Sequence, residues 1–235
     1  MKKFLFIATM FLIPSTVFGA IAIDTTGTFT QGSYSDLWDN TYTVTGSETY
    51  IYATLRTYAN ANQGQCNPSA MSYNGVSMRN LSRTNLDGNT AIWTFALLNG
   101  NADGASHTLR YTSSGGACGP FSLAVASYKG VRQVLEEASS TGAGSASVTT
   151  VRDNSWVIGG AGSTYTGNGA STTLRVSAGS GDAVIVESSL NPITPTSSVT
   201  LAVTNSYVNN IAIVAIGAST STASSCRFRG HARCH

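Results

Sequence analysis

Apolar and polar positions alternate along this chain in short runs, and the 3.6-residue repeat of an amphipathic helix is nearly absent. Strands are predicted over 37–45 (LWDNTYTVT), 49–58, 69–73, 76–81, 90–98, 106–113 and 120–128. In the second half they are predicted over 145–151, 155–162, 171–178, 182–190, 199–204 and 211–218. Gly, Asn, Asp and Ser clusters separate these runs about every ten residues, the spacing of a sandwich or barrel. TAIWTFALL (90–98) and IAIVAIGA (211–218) are apolar on both faces, as strands in the middle of a packed sheet should be. Only RQVLEEASS (132–140) has helical flavour, and it is short. The pattern predicts an all-β protein, a single antiparallel β-sandwich over residues 23–220, with no linker or composition break inside it.

One pentapeptide recurs. SYNGV (72–76) returns as SYKGV (127–131). In MSYNGVSM the Asn-Gly pair tolerates the positive φ that a two-residue type I′ turn demands, which predicts a hairpin with Tyr73 opposite Val76 and Met71 opposite Met78. Lys129 fits positive φ poorly, so the turn type of the second copy is open. The spacing from the upstream cysteine drifts between the copies, so turn chemistry used twice accounts for the repeat better than a duplicated domain.

The N-terminus changes the compartment. Lys2 and Lys3 precede an apolar run, FLFIATMFLI (4–13), that Pro14 and Ser15 break. This is the layout of a signal peptide, with small-residue cleavage sites before Ala20 (VFG) or before Ile23 (AIA). The run is too short to span a bilayer as an unbroken helix. Residues 1–22 are therefore expected to be removed and the remainder secreted, to the periplasm or the extracellular space, with no membrane span.

Removing Lys2 and Lys3 from the 13 basic residues leaves 11 against 11 acidic ones. Arg227, Arg229 and Arg233 sit in the final ten residues, so the body carries 8 basic against 11 acidic. No basic stripe exists to release counterions from phosphates, which argues against nucleic-acid binding. Charged residues make up only 10% of the chain. Ser, Thr, Asn and Gly solvate the surface instead.

In an oxidising compartment paired cysteines form disulfides by default. Cys66 and Cys118 each lie in a loop just before a core strand, and a bridge between them would close a loop of about 50 residues, worth roughly 4 kcal/mol in the chain-entropy model. Free thiols are the alternative. Cys226 and Cys234 belong to CRFRGHARCH, residues 226–235 of a C-terminal tail (221–235) expected to be flexible or closed by a second disulfide; with His231 and His235 they match no zinc spacing.

Candidate chemistry is sparse. His107, beside Ser106 and near Asp103, is the single histidine outside the tail and is expected to be solvated. Glycoside hydrolysis needs two carboxylates facing one cleft at roughly 5–10 Å, and no paired-acid strand is present. NGNADG (99–104) offers Asn99, Asn101 and Asp103 as weak calcium donors, but Arg110 stands where the loop motif wants a bidentate Glu; a plain hairpin loop accounts for it better. No other cofactor or metal is implied. On TYIYATLRTY (49–58) the period of two sends Ile51, Ala53 and Leu55 inward and places Tyr50, Tyr52, Thr54, Arg56 and Tyr58 on the opposite face. Tyr50, Tyr52, Arg56 and Tyr58 form a candidate platform for sugar rings or a protein partner; ordinary strand tyrosines are the alternative. Trp38, Trp93 and Trp156 sit on apolar faces and are expected in the core.

In order along the chain come the MSYNGVSM hairpin, IWTFALLNG, SHTL and SLAVASYKGV. This succession resembles the jelly-roll-like β-sandwich modules of bacterial secreted surface proteins and phage virion proteins. The resemblance implies a non-catalytic sandwich used for adhesion or assembly. Two function classes follow: a secreted or cell-surface module binding a glycan or protein, and a structural subunit that self-assembles in a virion or extracellular structure. An enzyme, of the carbohydrate-active kind, ranks third.

Overall fold

In this computed structural model the described residues are 20–33, 35, 37–58, 68–85, 90–98, 103–113, 119, 121–131, 136, 138–162, 165–179, 182–205 and 211–219. They form strands and turns with no α-helix. The segment carrying the signal-peptide pattern up to residue 19, all four cysteines, Asn99, Asn101 and the tail lie outside the described residues.

The first half of the chain supplies β1 (Ala22–Gln31), β2 (Leu37–Thr43), β3 (Tyr50–Tyr58), β4 (Pro68–Tyr73), β5 (Val76–Ser77), β6 (Arg79–Asn85), β7 (Thr90–Leu98), β8 (Ser106–Ser113) and β9 (Phe121–Lys129). The second supplies β10 (Ala138–Gly142), β11 (Ser145–Thr149), β12 (Trp156–Gly162), β13 (Tyr165–Asn168) and β14 (Thr172–Ala178). It ends with β15 (Ala183–Ser188), β16 (Ser198–Asn205) and β17 (Ile211–Ile216). Within 132–140 the described residues are Glu136, in neither strand nor helix, and 138–140, which belong to β10.

All pairings are antiparallel, in four sheets: β1-β9-β3-β7-β6 and β2-β8-β4-β5 from the first half, β10-β17-β12-β15-β14 and β11-β16-β13 from the second. The two halves share one strand order. Replacing β1 to β4 by β10 to β13, and β6 to β9 by β14 to β17, converts the first pair of sheets into the second. The short β5 is the addition. It continues almost directly into β6, so one run of chain pairs first with β4 and then with β7, joining the two sheets at their edge.

The period of two decides how the sheets stack. On β3, Ile51, Ala53 and Leu55 point into one apolar layer with Leu109, Tyr111 and Met71 of the four-stranded sheet. Tyr50 and Tyr52 point the other way, into a second layer with Ile158, Ile185 and Val214. On β15 and β17 the alternate residues Val184, Val186, Ile211 and Ile213 form a third layer with Val199 and Leu201 of the three-stranded sheet. The result is four sheets with three apolar layers between them, where a single sandwich would have two sheets and one layer. Each central sheet is therefore buried on both faces, which is why β7, β9, β15 and β17 read as nearly continuous apolar runs.

The middle layer also contains tyrosine hydroxyls and carboxylates that find partners there, as burial requires. The Tyr52 hydroxyl donates to the Ala212 carbonyl at 2.8 Å. Tyr128 donates to Glu187 Oε1 at 2.8 Å, and Arg175 donates to Oε2 of the same carboxylate at 2.6 Å. Tyr50 donates to Glu136 at 2.6 Å, and Arg79 pairs with that carboxylate too. These phenols cross from the first half to the second, so the junction is fixed by direction as well as by area. Close approach is possible because β12 carries WVIGGAG: a Cβ on Gly160 would overlap Thr54 Oγ1 and lie 2.8 Å from Thr94 Cγ2.

The Asn-Gly hairpin forms as its sequence predicts. Asn74 and Gly75 take φ of 50° and 76°, Tyr73 pairs with Val76 and Ser72 with Ser77, and Met78 N–H donates to the Met71 carbonyl at 2.7 Å. Met71, Tyr73 and Met78 are buried, whereas Val76 at the hairpin tip is exposed. SYKGV has a different role. Only Gly130 there has positive φ, 72°, and the chain leaves β9 to make the Val131–Ala218 bridge. SYNGV ends the fourth strand of its half and SYKGV the last, so the two copies occupy unrelated places in the repeated strand order.

Candidate functional site

The four residues of the candidate platform divide into two pairs. Tyr50 and Tyr52 are 1% and 0% exposed, inside the middle layer. The face they share was expected to be wet; the second half of the chain covers it. Toward the C-terminal end of β3 that cover runs out, and Arg56 and Tyr58 reach the wall of a cleft of ≈ 480 Å³. Three elements of the first half and one turn of the second build it. The end of β1 brings Thr30 and Gln31, β3 brings Arg56 and Tyr58, and the start of β9 brings Phe121 and Ser122. The turn between β14 and β15 brings Gly179 and Asp182.

The turn is positioned by sequence. Gly179 takes φ of 58°, and Asp182 N–H donates to its carbonyl at 3.3 Å. A Cβ on Gly179 would overlap Ser122 Oγ, so the turn lies directly on the first half. This contact carries Asp182 to Arg56: Nη1 and Oδ1 are 2.5 Å apart, with the two side chains 26% and 24% exposed. Ser122 Oγ donates to the other carboxylate oxygen at 3.3 Å. Among the described residues of the lining, one cation and one anion are thus in direct contact and balance each other.

Its surroundings are amphipathic. Tyr58 is 37% exposed, while Phe121, also in the lining, is buried. Gln31 Oε1 and Arg56 Nε are buried without a hydrogen-bond partner among the described residues, and the one further such atom is Thr54 Oγ1, two residues before Arg56. Such groups cost about 1–3 kcal/mol each when nothing answers them.

The remaining sequence candidates fall elsewhere. Asp103 Oδ1 accepts from Ala105 N–H at 2.9 Å, and both carboxylate oxygens lie within 2.9 Å of His107 Nε2. That backbone bond, and then the bond from His107, hold the Asp103 carboxyl below the usual range. His107 is not simply solvated, since its ring also meets Tyr73 edge-on at 5.8 Å. Asn99 and Asn101, the other two calcium candidates, are outside the described residues, and among those described no group of three His, Cys, Asp or Glu converges on one point. Cys66, Cys118, Cys226 and Cys234 are likewise outside. Trp93 is buried in the first layer; Trp38 and Trp156 are partly buried against the first and second. A smaller cleft, ≈ 220 Å³, lies beside the hairpin at Ser72, Asn74, Thr108 and Arg110, and there Arg110 is engaged by Asp39 through two bonds of 2.7 Å.

Sequence reasoning did not find Asp182, Ser122 or Gln31. A charged residue opening the apolar strand DAVIVESSL is a usable signal for Asp182, but nothing local ties it to Arg56 across more than a hundred residues. Comparison with known proteins returns no matching family model, no matching curated relative and no matching solved structure.

Proposed function

We propose that this chain is an exported, non-catalytic binding module made of two jelly-roll-like halves, and that it holds a glycan or a protein group in the cleft between Arg56, Tyr58 and Asp182. The observation that carries this reading is the location of an ion pair and a half-exposed tyrosine in a concave site at the junction of the two halves. Small-ligand sites are concave, favour such junctions, and span about 300–1,000 Å³. The strand order of each half supports the jelly-roll reading: with β5 set aside and the rest taken as strands one to eight, 1-8-3-6-5 form one sheet and 2-7-4 the other, an eight-stranded two-sheet plan in which strand five lies beside strand six. Against hydrolysis, the described lining of the cleft contains one carboxylate, and that one is bound by Arg56 and Ser122, whereas glycosidases employ a pair. Export is supported by the basic and apolar leader pattern.

A glycan array probed with the mature protein, together with size measurement in solution, tests the reading. Binding by a monomer that weakens in Tyr58→Ala and Arg56→Ala, with the thermal midpoint held within a few degrees, is the expected result. A large self-assembled species whose ligands are unaffected by either substitution would favour the structural-subunit class instead.

A further inference from the structure

Resting on that binding-module reading, we infer that the cleft takes a neutral, polyhydroxylated ring, a single sugar unit, in preference to an acidic sugar or a charged side chain. Three features of the wall lead there. The first is charge. Arg56 is the cation an acidic ligand would seek, and Asp182 already neutralises it at 2.5 Å. An incoming carboxylate would have to displace Asp182 or sit beside it, and like charges at that range repel. The second is hydrogen-bonding type. Gln31 Oε1 lacks a donor and Arg56 Nε lacks an acceptor among the described residues. A hydroxyl group donates and accepts at once, so small rotations of these side chains toward vicinal hydroxyls answer both, as neither a carboxylate nor an ammonium does. Ser122 Oγ and the free lone pairs of Asp182 extend the same mixed lining. The third is shape. Tyr58 is the half-exposed ring of the lining, a surface against which the C–H face of a pyranose packs.

The test is titration of the mature protein, followed by saturation-transfer NMR, with methyl glycosides of glucose, galactose, mannose and N-acetylglucosamine, and in parallel with glucuronic acid and N-acetylneuraminic acid. At least one neutral glycoside should bind with an affinity that changes little between low and high salt. Tyr58→Ala should weaken it by about tenfold, the usual consequence of truncating an aromatic anchor, while Tyr58→Phe, which keeps the ring, should retain most of it. Asp182→Asn removes the counter-charge and should shift preference toward the acidic sugars. Preferential, salt-sensitive binding of an acidic sugar by the unaltered protein overturns the inference, and so does failure of every sugar in the panel to bind. If the array or a pull-down shows cleft-dependent capture of a protein while all the sugars fail, the binding-module reading survives and the neutral-sugar inference falls. If Tyr58→Ala and Arg56→Ala affect no binding of any kind, both fall.

Discussion

Val131 and Ala218 pair with each other in an antiparallel bridge, and each stands two residues beyond the last strand of its own half. Residues at equivalent places in the two strand orders thus meet each other at this point. Ser219 N–H donates to the Gly130 carbonyl at 2.9 Å beside the bridge, and both bridge residues are buried in the middle layer. The two halves face each other through their five-stranded sheets, with β1, β3 and β9 of the first lying against β12, β14 and β15 of the second.

A junction of that kind makes the halves interdependent. Separating them would expose Tyr50, Tyr52, Tyr128, Ile158 and Ile185, all fully buried, along with the Glu187 carboxylate. We expect one cooperative unfolding transition in urea, with tryptophan fluorescence, far-UV circular dichroism and size coinciding. Two resolved transitions would show that the halves fold independently and that the middle layer contributes little.

Gly160 sets the spacing of that layer. Gly160→Ala should destabilise by about 1–3 kcal/mol, the usual cost of overpacking a close-packed core, because the added methyl meets Thr54 and Thr94 across the junction. Gly167→Ala is the matched control, since a Cβ there has no neighbour within 4 Å. Equal denaturation midpoints for the two variants would mean that the sheets can part at no cost.

Acid should loosen β1. Its bulge between Ile23 and Thr25 holds Asp24 where the carboxylate accepts from Thr45 N–H at 2.8 Å, from the Thr45 hydroxyl, and from Ser127 Oγ at 3.1 Å. Partial burial pushes the Asp24 carboxyl up, but the bonds from Thr45, Gly46 and Ser127 outweigh it and leave the group below its ordinary value. A carboxyl depressed in the folded state contributes fully above its unfolded value, about 3.9, and loses that contribution as pH falls through the lower folded value. Thermal midpoints should thus be flat near neutrality and fall below about pH 4. Asp24→Asn should be less stable than the parent at pH 7 and converge with it in acid. A constant difference between the two across pH 2–7 would remove Asp24 from the account.

Local chemistry was legible in the sequence and layering was not. The Asn74-Gly75 turn and the strands around Tyr50–Tyr58, Thr90–Leu98 and Ser106–Ser113 follow from alternation and turn residues. Three strands escaped notice. β10 and β13 are short and made largely of Ser, Thr and Gly, which carry no apolar period, and β1 follows so closely on the leader pattern that its Ile23 and Phe29 draw no attention. The period of two puts Tyr50 and Tyr52 opposite Ile51, Ala53 and Leu55, on the face expected to be wet, yet each hydroxyl here finds an internal partner in Glu136 or the Ala212 carbonyl. The cover over them comes from strands more than a hundred residues away. The repeated strand order was hidden for a related reason. Burial on both faces constrains which residues are apolar, not which apolar residue is used, so the halves share a plan with no shared motif, and the pentapeptide that does recur sits at unrelated positions.

The structure also bears on the choice between the two cleavage sites that the leader pattern offers. Cutting before Ile23 would remove Ala20, Ile21 and Ala22; cutting before Ala20 would retain them. Ile21 is 5% exposed and belongs to the middle apolar layer with Tyr128 and Val131. Ala22 pairs with Lys129 at the start of β1. The Ala20 carbonyl lies against Gly130, so closely that a Cβ on that glycine would come within 2.6 Å of it. Discarding a fully buried isoleucine forfeits roughly 1.5–3 kcal/mol of apolar burial, a large part of the total stability of an ordinary domain. Processing between Gly19 and Ala20 is therefore the expected outcome, with VFG as the small-residue recognition sequence. Intact-mass measurement and N-terminal sequencing of protein recovered from the exported fraction decide it: Ala20 should be the first residue. An Ile23 terminus on a folded protein would show that Ile21 is dispensable, and recovery of the chain with Met1 still attached would point to an uncleaved anchor. Ile21→Ala supplies an independent check on the physical premise, since it should lower stability by about 2 kcal/mol or more without changing where the leader is cut.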